Sequence, residues 1–136
     1  MVLYNVKNRQ LFFIEVKRLN DKRWNSPDEI NRQMKKYKEL IKNEKEKIVT
    51  CYSKTIGYYN KLTCVDIPEI DLNKPILLAL AITEYKKSEQ DRKKRDIAKR
   101  VIDKDYVILE RGSFLKVSEN TIDKWAKTAS EKLGFN

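Results

Sequence analysis

Glu15 and Lys17 stand two residues apart at the end of the apolar run Phe12-Phe13-Ile14-Glu15-Val16-Lys17. In a β-strand, residues two apart project from the same face, so carboxylate and ammonium sit side by side. Such a pair can hold a divalent metal and a water at one phosphate group; it also occurs as a plain ion pair at a strand end. A second pair, Gln33 and Tyr37, is four residues apart, which places both on one face of an α-helix. Phosphodiester hydrolysis needs an in-line water, a metal that polarises the phosphate and acidifies that water, and positive charge for the pentacovalent state. Glu15 is a candidate metal ligand, and the backbone carbonyl of Val16 a second. Lys17 would orient the water or neutralise developing charge. Gln33 and Tyr37 would contact a phosphate or buttress Lys17. Arg18, Lys22, Arg23, Arg32, Lys35 and Lys36 would hold a nucleic-acid backbone, and Trp24 would stack on a base.

Composition narrows the chemistry. The chain has no histidine, which excludes His-based triads, His general bases and most zinc sites. A metal here would be held by oxygen ligands, which suits Mg²⁺ or Mn²⁺. Lys and Arg number 30 against 20 Asp and Glu, a net charge of +10. That excess favours polyanionic partners, nucleic acid first and anionic membrane second, although an A/T-biased genome also yields lysine-rich chains. No apolar run reaches the roughly 18 residues of a membrane span. Nor does the N-terminus show the basic, apolar and small-residue layout of a signal peptide, so a cytoplasmic location is expected. The two cysteines, Cys51 and Cys64, make no disulfide framework and are expected to be buried or half-buried thiols.

The elements that must position these residues can be read along the chain. With 136 residues, one domain with a real core is expected. Val2 to Val6 and Leu11 to Lys17 read as strands joined by the turn Lys7-Asn8-Arg9-Gln10. Large apolar groups on both faces of the second strand predict a central position covered on both sides. Ser26-Pro27-Asp28-Glu29 is a helix start with Ser26 as cap and Glu29 completing a capping box. Ile30, Met34, Tyr37, Ile41 and Ile48 form its apolar stripe, running to about residue 47. Helical pattern resumes over Ile48 to Leu62, with Gly57 as a weak point, and Ile48 to Tyr52 reads alternatively as a strand. Asp66 to Lys74 reads as a linker. Ile76 to Ile82 predicts a buried strand, Lys86 to Ile102 a charged helix, Tyr106 to Glu110 a strand, and Ser118 to Leu133 a final helix around Trp125. The sum is an α/β fold, a mixed sheet flanked by helices.

Ile14-Glu15-Val16-Lys17 resembles the (D/E)xK half-motif of the PD-(D/E)xK nuclease superfamily. Gln33-Met34-Lys35-Lys36-Tyr37, sixteen residues on, resembles the QxxxY motif of its RecB-type branch. The resemblance covers residues 1–50 and, more loosely, 75–82. It implies a restriction-endonuclease-like fold and Mg²⁺- or Mn²⁺-dependent cleavage of DNA, with Glu15 and Lys17 in the catalytic motif. The chain departs from the family pattern in two respects: it opens in a predicted strand where the family has an N-terminal helix, and it lacks an acid. The family carries an Asp on the strand before the Glu, and residues 1–14 contain no acidic residue. The acid lies upstream of Met1 in a longer protein, or is replaced by Asp21, Asp28 or Glu29, or is lost from a site that binds without cutting. A domain lacking the family's edge helix would also be open to pairing with a second copy.

Overall fold

A computed structural model of the chain describes residues 1–83, 88–102, 107–110 and 127. Strands β1 (Val2–Asn5) and β2 (Gln10–Arg18) form the antiparallel hairpin, with Val2 opposite Phe13 and Asn5 opposite Gln10. The Asn5 side chain accepts the Asn8 N–H at 3.1 Å, and Arg9 closes the turn in the left-handed region at φ 53°. β3 (Leu77–Thr83) lies parallel to β2, and β4 (Val107–Glu110) parallel to β3, giving the sheet order β1-β2-β3-β4. Among the described residues the domain is therefore a mixed sheet with helices, as the alternation of elements predicts.

β2 is interior, and its parity decides the site. Glu15 pairs with Leu80 and Lys17 with Ile82, so Phe13, Glu15, Lys17, Leu80 and Ile82 share one face. Phe12, Ile14, Leu77, Ala79 and Ala81 share the other and are almost wholly buried. Both faces are thus covered along most of the strand, and Val16 emerges at its end with 37% exposure.

A short 3-10 turn (Lys22–Asn25) leads from β2 into α1 (Pro27–Thr63). Pro27 occupies the first turn of α1, where its missing N–H costs nothing. The expected capping box is absent. The Ser26 side chain makes no cap bond, and the Ser26 backbone N–H closes the 3-10 turn by donating to Arg23 O at 3.0 Å. Ile30 and Met34 pack on Leu80 and Ile102 against the site-bearing face of the sheet. Farther along, Val49 packs with Leu11 and Ile70, and Tyr52 meets Phe13 edge-on at 6.3 Å between ring centres. The strand alternative for Ile48 to Tyr52 is thereby overturned: α1 continues through Gly57 to Thr63, with a kink at Glu44.

The segment read as a linker folds back on the hairpin. Tyr4 donates to Pro68 O, Arg9 Nε to Glu69 O, and Asp71 N–H to Arg9 O, while Ile70 is buried. Cys51 and Cys64 are exposed, against expectation. α2 (Glu89–Val101) is capped by Ser88, whose side chain accepts the Asp91 N–H. Its Ala98 packs on Ile82 and Leu19. Ile97, expected on the apolar side, is 57% exposed. The final helix expected over Ser118 to Leu133 lies outside the described residues, apart from residue 127.

Candidate active site

Parity puts Lys17 between the sheet and α1, and its side chain is 1% exposed. A buried ammonium must be paired to persist. Lys17 Nζ donates to Glu15 Oε1 and, at 2.9 Å, to Gln33 Oε1. Gln33 Nε2 in turn donates to Tyr37 Oη at 2.9 Å. The amide orientation follows from chemistry, since an ammonium only donates and must face the amide oxygen. The four residues singled out by spacing form one continuous hydrogen-bonded chain that links β2 to the first turns of α1.

The chain runs between two cavities. Glu15 and Tyr37 border a mostly apolar one of about 220 Å³, whose walls include Met1, Phe13 and Leu40. Gln33 lines the other, about 360 Å³, with Arg23, Arg32, Lys36 and Glu29. Three of the candidate backbone-binding cations therefore converge beside Gln33. Lys22 and Trp24 face a third cleft, towards α2. Trp24 is half-buried and donates its indole N–H to Arg18 O at 2.8 Å. Arg18 and Lys35 are exposed.

The backbone of Val16 has its own placement. Ile14 exchanges both backbone bonds with Met1, each at 2.8 Å, on the β1 side of the strand. Alternation turns the Val16 carbonyl to that same side, beyond the end of β1.

Asp21 is the acid in the 3-10 turn. Its carboxylate accepts Arg23 Nε at 2.9 Å, Arg23 Nη2 at 2.6 Å and the Arg23 N–H at 3.0 Å. The side-chain bond from Arg23 chiefly holds the Asp21 carboxyl down to about 2; burial opposes it, and Lys17 adds a smaller attraction. The same bond raises the Arg23 guanidinium, with Glu15 and Glu29 contributing more weakly. Asp28 and Glu29 are exposed in the first turn of α1. Among the described residues, no three His, Cys, Asp or Glu side chains gather in one place. Asp21 and Arg23 are each candidates from the sequence, as a replacement acid and a backbone-binding cation; their pairing is not read there, and its available signal is the Asp-x-Arg spacing in a polar loop.

Among the described residues no helix is long and apolar enough to cross a membrane. No protein family matches the chain, and neither a characterised protein nor a solved structure is significantly similar to it.

Proposed function

We propose that this chain is a metal-dependent nuclease domain of the PD-(D/E)xK type, restriction-endonuclease-like in fold, that cleaves DNA phosphodiester bonds in the cytoplasm. The observation that carries the reading is the bonded chain Glu15–Lys17–Gln33–Tyr37. A structural ion pair at a strand end needs no amide and phenol behind it.

The donors at the strand end suit a hard cation. Glu15 has one carboxylate oxygen on Lys17 and a second to offer, and the backbone carbonyl of Val16, the next residue of the strand, would be the second donor. Mg²⁺ keeps several waters and asks few ligands of a protein, so this pair fits a partly hydrated Mg²⁺ or Mn²⁺. When bound, such an ion would polarise the phosphate and acidify a water. Lys17 has three N–H donors, of which Glu15 and Gln33 take two. The third would serve the attacking water or a phosphate oxygen. Tyr37 Oη accepts from Gln33 and so keeps its own O–H to give. Arg23, Arg32 and Lys36 would hold the neighbouring phosphates, and a second copy of the chain would be a source of a further carboxylate.

The test is incubation of single- and double-stranded DNA with Mg²⁺, Mn²⁺ or chelator, using the chain and its Glu15→Ala variant. Cutting that needs metal and vanishes in the variant is expected; cutting indifferent to Glu15 would contradict the reading. The second reading, a nuclease-like domain that binds nucleic acid or a protein without cutting, is favoured by Asp21, whose carboxylate is taken by Arg23. It expects salt-sensitive DNA binding that needs no metal and survives Glu15→Ala.

A further inference from the structure

The third cleft, about 330 Å³, lies between the 3-10 turn and α2. Its apolar lining is Leu19 and Ala98, both nearly buried, and Ile97, which is 57% exposed. Trp24, Lys22 and Lys94 line it too. Lys94, Ile97 and Ala98 are spaced to share one face of α2. The Trp24 ring is fixed twice. Its N–H is bonded to Arg18 O, and it packs against the clusters around Ile30 and Leu19. A ring so held stacks on a ligand with little further loss of freedom.

We propose that this cleft binds an unpaired nucleobase, and hence that the domain takes single-stranded DNA or the single-stranded part of a junction. The chemistry of the lining carries the inference. An aromatic ring and aliphatic side chains lining one cleft suit a flat π-system. The side chains of Asn20 and Asn25, also at the cleft, offer both donors and acceptors to a base edge. Two ammonium groups suit the attached phosphates, and the one carboxylate present, Asp21, is neutralised by Arg23. A paired and stacked base has neither its face nor its Watson–Crick edge available for such a cleft. The 3-10 turn separates this cleft from the one lined by Arg23, Arg32 and Lys36. Arg23 lines one cleft and its chain neighbours Lys22 and Trp24 line the other, so the two are adjacent and one strand would supply a phosphate to the first and a base to the second.

The inference rests on the nucleic-acid part of the proposed function and not on cleavage, so its test reads binding in chelator. Fluorescence anisotropy at about 0.15 M salt would compare a labelled single strand, the duplex of the same sequence, and a strand carrying abasic sites. Trp24→Ala is expected to weaken the single strand about tenfold and to leave the duplex nearly unchanged. Trp24→Phe should restore most of the loss. The abasic strand should bind the unaltered chain as weakly as the intact strand binds Trp24→Ala. Because Trp24 also packs on two core clusters, Ile97→Ser, at an exposed position, supplies a second variant and should weaken the single strand selectively. Equal binding of single strand by the unaltered chain and both variants would overturn the inference while leaving the proposed function standing. So would equal losses for strand and duplex. Failure to bind any DNA would overturn both.

Discussion

Lys17 is a cation enclosed between a sheet and a helix, and its surroundings fix what each substitution does. Glu15 supplies the opposing charge and Gln33 the second acceptor. Glu15→Ala would leave the ammonium buried without a counter-charge, so urea unfolding should show a loss of about 3 kcal/mol. Glu15→Gln keeps an acceptor and should cost less. Lys17→Met should be milder than Glu15→Ala, because the Glu15 side chain is 19% exposed and water can hydrate it. Asp21 gives a pH dependence whose sign is fixed. Its carboxyl is depressed from 3.8 to about 2 by Arg23. The stability it contributes is present above pH 4 and is lost as pH falls towards 2. Arg23 is largely solvent-facing, so the contribution is modest, under about 1 kcal/mol. Asp21→Asn should lower the thermal midpoint slightly at pH 7 and leave it unchanged at pH 2. At this scale, strand parity and helical spacing made all four members of the bonded chain legible. The Glu15–Lys17 contact followed from parity, and a buttress on Lys17 was one of two alternatives for Gln33 and Tyr37; which one holds was not legible, because it depends on how α1 docks on β2. The Asp21–Arg23 clamp escaped for a related reason: a polar loop has no period that aims its side chains.

Helix α1 carries two tasks along its 37 residues. Its first turns bring Gln33 and Tyr37 to the strand end, and its later turns close the hairpin side through Val49, Tyr52 and Ile56. The apolar positions Ile48, Tyr52 and Ile56 are spaced by four, which is why the segment stays helical although its β-branched residues also suit a strand. Gly57 sits in this helix with nothing within 4 Å of where a Cβ would lie. Gly57→Ala should therefore stabilise the domain by about 0.5–1 kcal/mol, read from the denaturant midpoint. The kink at Glu44 falls close to the break that the pattern placed at about residue 47. The segment from Asp66 to Lys74 shows the limit of composition as a guide. Its prolines and acids read as a linker, but its backbone is bonded to the hairpin through Tyr4 and Arg9, and Ile70 is buried. Those bonds join residues some 60 positions apart, beyond the reach of any local signal.

For the molecule as a whole, the charge of +10 acquires a direction. Arg23, Arg32 and Lys36 converge beside the bonded chain, whereas Lys42 and Lys47 lie on the solvent side of α1. Arg32→Ala and Lys36→Ala should each reduce by about one the slope of log affinity for DNA against log salt. The same change at Lys42 should leave the slope almost unaltered. The mixed sheet with β2 inside was legible because β2 and β3 are apolar on both faces. The order of four strands also required the parallel crossover through α1, which the sequence implied only through the alternation of elements. The two readings differ at Lys17, which the proposed function makes a participant in the reaction and the binding-module reading leaves as a structural cation. The most direct test is therefore to measure cleavage and DNA binding side by side for the chain and its Lys17→Met variant in Mn²⁺. The account expects cleavage to fall by about two to three orders of magnitude while DNA binding changes by less than about threefold, as for loss of one cation at physiological salt. Unchanged cleavage in Lys17→Met would contradict it.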